Sequence, residues 1–233
     1  MMSVAEALRM CKLRLDGIAG EESLQQAKVL VGFTLGIDEA AIPLHSQMEL
    51  LPEQIMELGE YLSRRADGEP LQYIIGQWSF MGLPFLVDRR ALIPRQDTET
   101  LVEAALMLAR ERGYKAALDL CCGGGCIGVS LSKLVGLDVL AVDLSTGALQ
   151  LAAENAAENG VAMRFQQSDL FRDIREDFDL IVCNPPYLSK ADMASMQKEL
   201  SFEPRDALYG GVDGLDFYRR IAGDYRPFLR RGG

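Results

Sequence analysis

The sequence predicts an α/β protein: a parallel sheet wrapped by helices, preceded by an all-α helical module and a short β-hairpin linker. Three observations carry this. Apolar residues recur at helical spacing through the first 70 or so positions. A stretch of aromatic and β-branched residues interrupted by Gly and Pro follows. From residue 116 onward, short apolar runs of strand length alternate with helical segments.

Taken in order, Val4, Leu8, Cys11 and Leu15 form the first helical face, until Gly17 and Gly20 interrupt the pattern. Glu22-Ser23-Leu24 opens a second helix with Leu24, Ala27, Leu30 and Val31 on its apolar side. Pro52 and Glu53 begin a third, because proline suits the first helical turn and a carboxylate complements the dipole there. Ile55, Leu58 and Leu62 form its apolar face, and Ala66-Asp67-Gly68 ends it. Residues 1–70 are therefore expected to be a helical domain. Residues 71–90, with Gln72-Tyr73-Ile74-Ile75-Gly76 and Phe80-Met81-Gly82-Leu83-Pro84-Phe85-Leu86-Val87, read as the hairpin linker. In residues 91–233 a helix through Leu101, Ala105 and Leu108 precedes strands at 116–120, 139–142, 162–166 and 179–183. Helices are expected near 127–135, 146–158 and 214–226.

Hydrophobic residues are 48% and charged residues 25% of the 233, the balance of a packed chain and not of a disordered or fibrous one. Against 24 Lys and Arg stand 34 Asp and Glu, a net charge of -10. A surface so acidic repels phosphate backbones and disfavours a general nucleic-acid clamp, although a local basic groove stays open. Residues 1–87 hold 12 acidic and 6 basic side chains, a balance that suits a basic protein partner. No basic run followed by an apolar one opens the chain at Met1, so no signal peptide is expected. The most apolar early stretch, residues 29–37, is broken by Gly32, Thr34 and Gly36 and is far too short for a membrane span. Five cysteines, an odd number, argue against a secreted disulfide scaffold and for the cytoplasm.

The first strand leads into Asp119-Leu120-Cys121-Cys122-Gly123-Gly124-Gly125-Cys126-Ile127-Gly128, where Gly123, Gly125 and Gly128 fit G-x-G-x-x-G ahead of a helix. Asp143 ends the next strand, 20 residues after Gly123, where a carboxylate can accept hydrogen bonds from ribose hydroxyls. This Rossmann-like arrangement alone leaves NAD and S-adenosylmethionine both open. Asp119 favours the latter, since a carboxylate beside the loop suits a sulfonium or ammonium group better than a pyrophosphate.

The fourth strand ends in Asn184-Pro185-Pro186-Tyr187. Two consecutive prolines cannot continue a ladder and hold the backbone rigid at the edge where open α/β sheets bind ligands. Asn184 offers a carbonyl acceptor, the Pro185 carbonyl a second, and Tyr187 an aromatic wall; two converging acceptors suit an NH2 group. The only histidine, His45, lies in the helical module beside Pro43 and reads as surface or packing.

These residues together resemble the HemK/PrmC family of protein-(glutamine-N5) methyltransferases, class I S-adenosylmethionine-dependent enzymes that modify the Gly-Gly-Gln glutamine of class 1 peptide chain release factors. The likeness extends over Gly68-Glu69-Pro70-Leu71-Gln72-Tyr73-Ile74-Ile75-Gly76, Leu92-Ile93-Pro94-Arg95-Gln96-Asp97-Thr98-Glu99 and Gly210-Gly211-Val212-Asp213-Gly214-Leu215-Asp216-Phe217-Tyr218 as well as the two loops. Asn-Pro-Pro-Tyr itself is shared with amino-methyltransferases acting on adenine or cytosine, which remain the alternative, as does a catalytically weak release-factor-binding protein. The resemblance implies S-adenosylmethionine as cofactor, held by Cys121, Cys122, Gly123, Gly124, Gly125, Asp143, Asp169 and Leu170 with Asp119 and Asn184 alongside. It implies that Asn184, Pro185, Pro186 and Tyr187 hold the glutamine amide, with Asn184, Pro185 and Tyr187 catalytic, and that the helical module docks the release factor. A monomer without direct nucleic-acid contact is expected.

The chain departs from the family at Cys121, which stands where the family has a glycine; a positive φ there would cost about 1 kcal/mol. Cys121, Cys122, Cys126 and Cys183 should lie near one another, but their spacing matches no zinc pattern, and no metal is expected. After the helix holding Leu215, Phe217 and Ile221, the residues to Gly233 stand where a turn into a fifth strand would be expected. The strand at 179–183 would then be an apolar edge, and a version extended by further strands is expected to be more stable.

Overall fold

The computed structural model describes residues 2–233; Met1, where the signal-peptide reading begins, lies outside them. The chain forms two compact units, one ending at Ile75 and the other beginning at Gly76.

The first unit is built on α1 (Val4–Ala19), α2 (Ser23–Leu35), α3 (Pro52–Ala66) and the short α4 (Leu71–Ile75). Ser3 caps α1 reciprocally: its Oγ accepts from the Glu6 amide while the Glu6 carboxylate accepts from the Ser3 amide at 2.8 Å. Leu15, Leu30 and Leu58 from three helices are fully buried together. Two expectations are corrected here. Helix α1 continues through Gly17 and stops only at Gly20, whose φ of 53° reverses the chain. Residues 71–75 are helical rather than part of the hairpin. The Pro70 carbonyl accepts from the amides of both Tyr73 and Ile74, at 3.1 and 3.2 Å, and Leu71, Tyr73 and Ile74 bury their side chains. Burial overrides the β-propensity of the sequence.

The second unit opens with the hairpin of β1 (Gln77–Phe80) and β2 (Leu83–Leu86), antiparallel with Phe80 opposite Leu83. Met81 and Gly82 both have positive φ, 53° and 72°, the two-residue turn whose twist matches the strands. The hairpin is integral to this unit and not a free linker. Phe80 and Phe85 are packed edge-to-face in the main core, 6.0 Å between ring centroids.

The sheet consists of β3 (Ala116–Leu120), β4 (Asp138–Asp143), β5 (Arg164–Gln167) and β6 (Leu180–Cys183), all parallel in the order β5-β4-β3-β6. Helix α5 (Gln96–Arg112) precedes β3, and α6 (Cys126–Val135) and α7 (Thr146–Glu158) follow β3 and β4. A one-turn helix α8 (Lys190–Ala194) and α9 (Asp216–Asp224) follow β6. Side chains alternate along the strands. Ala117 and Val139 join Val102, Ile127 and Leu131 in one core, while Leu118, Leu120, Leu140 and Val142 join Phe171, Ile174 and Phe178 in another. The chain winds outward from β3 to β5 and returns to the far side of β3, so the crevice at the C-terminal ends of β3 and β6 is the switch point where ligands bind.

Strand β6 begins one residue later than expected, and the Asp179 carboxylate just ahead of it accepts from the amides of Lys115 and Ala116, at 2.8 and 2.9 Å. Strand β5 starts at Arg164 rather than at 162, and the last helix spans Asp216–Asp224 rather than 214–226. Strand β6 is the outer strand, but Leu229 makes a single parallel bridge with Phe178 just ahead of it. The Phe178 amide donates to the Phe228 carbonyl at 2.9 Å and the Arg230 amide to the Phe178 carbonyl at 2.8 Å.

Candidate cofactor and amide site

A cavity of about 600 Å³ lies over the C-terminal ends of β3, β4 and β6, within the usual range for a small-molecule site. Of the residues singled out in the sequence, Cys121, Cys122, Gly123, Gly124, Asp143, Asp169, Leu170, Asn184 and Pro186 line it. Asp119, Gly125, Pro185 and Tyr187 do not, and Tyr187 is half exposed.

Asp143 is held at the tip of β4 by two backbone donors: its Oδ2 accepts from Gly123 and its Oδ1 from Ser145, both at 2.9 Å. This fastens the glycine loop to the next strand and leaves the remaining lone pairs available. The loop is also tied to the hairpin and α7 by Asn155, which is fully buried. Its Nδ2 donates to the carbonyls of Gly124 and Leu86, at 2.9 and 3.1 Å, and its Oδ1 accepts from the Leu86 amide at 2.6 Å. Asn155→Ala should therefore unfasten loop and hairpin together, costing about 2–3 kcal/mol in urea unfolding.

Asp119 sits behind the loop. Its Oδ2 accepts from the Gly128 amide in the first turn of α6 at 2.8 Å, and its Oδ1 has no partner. A Cβ on Gly128 would stand 2.9 Å from that carboxylate and 2.6 Å from Met163 Cε, so the close approach requires glycine. One of the amides at the helix end that a pyrophosphate would use is thus already taken by a buried carboxylate. Burial raises the Asp119 pKa to about 7, opposed by the Gly128 amide and reinforced by Asp143. Because the folded value lies above the unfolded 3.8, this group favours the fold most below that pH and loses its contribution as pH rises through about 7. Asp119→Asn should accordingly gain stability on the unaltered protein between pH 5 and pH 8, by a few kcal/mol. A pH-independent difference in urea unfolding would contradict this.

Cys121 has φ 56°, as anticipated for a position that the family gives to glycine, and Leu170, which also lines the cavity, has φ 52°. Cys121→Gly should relieve this strain and raise stability by about 0.5–1 kcal/mol, checked by thermal and urea unfolding. The neighbouring thiols are protonated. Burial pushes Cys126 up to about 12 and Cys122 well above its ordinary value, and the hydrogen bond with Cys121, then burial, does so for Cys183. Among the described residues no three His, Cys, Asp or Glu side chains gather as a metal site.

The site also uses residues to which sequence reasoning gave no role. Segment 94–99 is a junction. Arg95 pairs with the buried carboxylate of Glu203, which also accepts from the Ile93 amide at 3.0 Å. Thr98 Oγ1 accepts from Asn184 Nδ2 at 3.2 Å, and Glu99 accepts from the Met81 amide at the hairpin tip at 2.6 Å. The segment's match to the family was visible in sequence, but the partners of Arg95 and Thr98, 108 and 86 positions away, were not. Behind residues 184–187, the Leu188 amide donates to the Leu208 carbonyl at 2.8 Å. A Cβ on Gly210 or Gly214 would lie 2.6 Å from the Pro186 carbonyl oxygen or 2.3 Å from that of Tyr187. Each arginine lining the cavity is ion-paired: Arg90 with Asp88 and Glu154, Arg95 with Glu203, and Arg220 with Asp169.

Residues 6–76 match the model of the PrmC N-terminal domain, and residues 97–209 that of the Methyltransferase small domain. The release factor glutamine methyltransferase of Geobacter sulfurreducens is 41% identical over 224 residues, covering 93% of this chain and 78% of that protein. The chain belongs to the release factor glutamine methyltransferase family. The Cereibacter sphaeroides member is 40% identical, covering all of this chain and 84% of its own length. Among solved structures, the hMettl16 catalytic domain in complex with a 3'UTR hairpin shares the fold with a TM-score of 0.51 at 16% identity, over 75% of this chain and 63% of that one.

Like its family, the chain is an S-adenosylmethionine-dependent methyltransferase. The residues fit that cofactor. Asp143 presents a carboxylate of the kind that takes a ribose diol, and one amide of the helix end, that of Gly128, is already taken by the buried Asp119. Among the described residues no helix is long and apolar enough to cross a membrane.

Proposed function

We propose that the chain methylates N5 of the glutamine side chain in the Gly-Gly-Gln motif of class 1 peptide chain release factors. The observation that carries this reading is Asn184: its side chain lines the same cavity as Asp143 and the glycine loop, in a release factor glutamine methyltransferase family member. An amide nitrogen is a poor nucleophile because its lone pair is delocalised into the carbonyl. The Asn184 side-chain oxygen and the Pro185 carbonyl accept its two hydrogens, orient the lone pair and stabilise the positive charge that grows on nitrogen. Bound S-adenosylmethionine supplies an electrophilic methyl on sulfonium sulfur. The methyl would pass from the sulfonium sulfur, released as the thioether, to the amide nitrogen, whose surplus proton would leave for water. Cys121 and Cys122 belong to the cofactor wall with Gly123, Gly124, Asp169 and Leu170.

The acidic helical unit suits a basic release-factor surface, and five free thiols suit a reducing cytoplasm. We assign a monomer. Labelled methyl should pass to a release factor and vanish when its Gly-Gly-Gln glutamine is replaced; equal labelling of that variant overturns the substrate assignment. Base methylation would need an electropositive channel for a flipped nucleotide. The ion-paired arginines do not supply one, so an oligonucleotide panel should stay unlabelled.

A further inference from the structure

We infer that Thr98 is the positioning residue that anchors the Asn184 carboxamide with its oxygen free for the substrate, an inference that rests on the amide-methylation reading above. A carboxamide has a donor end and an acceptor end of nearly equal size, and rotating it by half a turn exchanges them. Only the oxygen can accept from an incoming NH2 group; the flipped orientation would set donor against donor. Something must therefore hold the Asn184 nitrogen away from the substrate.

Thr98 is placed for this. It is the third residue of α5, buried at 7% exposure, and its Oγ1 accepts from Asn184 Nδ2 at 3.2 Å. Both side chains line the cavity. The start of α5 is itself fixed: the Thr98 amide donates to the Arg95 carbonyl at 3.0 Å, and Arg95 is pinned by Glu203. The hydroxyl thus stands on an anchored helical turn and occupies the donor end of the amide, leaving the acceptor end for catalysis. A methyl in its place would leave the Asn184 amide nitrogen without this acceptor and free the side chain to rotate.

The test compares Thr98→Val, Thr98→Ala, Thr98→Ser and Asn184→Ala in labelled methyl transfer to a release factor, with S-adenosylmethionine affinity from calorimetry and a thermal melt for each. Thr98→Val and Thr98→Ala should lower kcat roughly 10-fold to 100-fold, the penalty for a misplaced reacting group, while cofactor affinity stays within about twofold. Thr98→Ser, which keeps the hydroxyl, should retain most of the activity. A purely structural threonine would not give serine rescue with unchanged cofactor affinity. Full activity in Thr98→Val or Thr98→Ala beside a slow Asn184→Ala overturns the inference alone, as does a Thr98→Ser as slow as the alanine variant. A fast Asn184→Ala overturns the amide reading and this inference with it. If Thr98→Val does not fold, Thr98→Ala against Thr98→Ser decides.

Discussion

Asn184→Ala is expected to lower kcat for release-factor methylation by about 10²–10³-fold while changing S-adenosylmethionine affinity only a few-fold. The asymmetry follows from where the side chain acts. In the ground state its oxygen makes one hydrogen bond to a neutral amide, worth about 1 kcal/mol net. As nitrogen attacks, its hydrogens become more acidic and the same bond becomes charge-assisted, roughly twice as strong, in a fixed frame that needs no reorganisation. The frame is supplied by the two prolines and by the Gly210 and Gly214 backbones packed behind them. Single-turnover kinetics and calorimetry on the variant separate the two quantities. A large loss of cofactor affinity with unchanged chemistry would move Asn184 from the amide to the cofactor.

Glu203→Ala is expected to cost about 2–4 kcal/mol of stability, the largest loss foreseen from a side chain remote from the reaction. Its carboxylate is buried at 1% side-chain exposure, whereas its partner Arg95 is 36% exposed and can turn to water. The Ile93 amide cannot, and loses its acceptor in a buried position. Glu203→Gln can still serve that amide but not the guanidinium, so it should fall between the two in urea unfolding. Equal stability of the alanine variant would show that the pair contributes nothing net.

Much of the architecture was legible because burial imposes a period. The short apolar runs of β3 and β4 and the helical segments of α3, α6 and α7 place those elements within a residue or two of their observed limits. The glycine loop and Asp143 were legible because both partners lie within one β-α-β unit. Residues 71–75 misled because Tyr73, Ile74 and Ile75 favour strands locally, and only the Pro70 carbonyl and their burial make them helical. Gly17 misled because one glycine costs a helix about 1 kcal/mol, which packing on either side can outweigh. Thr98 and Glu203 gave no signal of their own. Each acts through hydrogen-bonded partners far away in the sequence, a relation that no local pattern encodes.

The span of those contacts has a kinetic meaning. Glu203 reaches back 110 and 108 positions to Ile93 and Arg95, and Asn184 reaches back 86 to Thr98. Contacts this distant in sequence require loop closure before they return any energy, and they slow folding. During synthesis, the glycine loop and Asp143 emerge well before the wall that will enclose them. The cavity should therefore be the last feature of this unit to mature, and cofactor retention by a nascent chain would report completed folding more sharply than its secondary structure does.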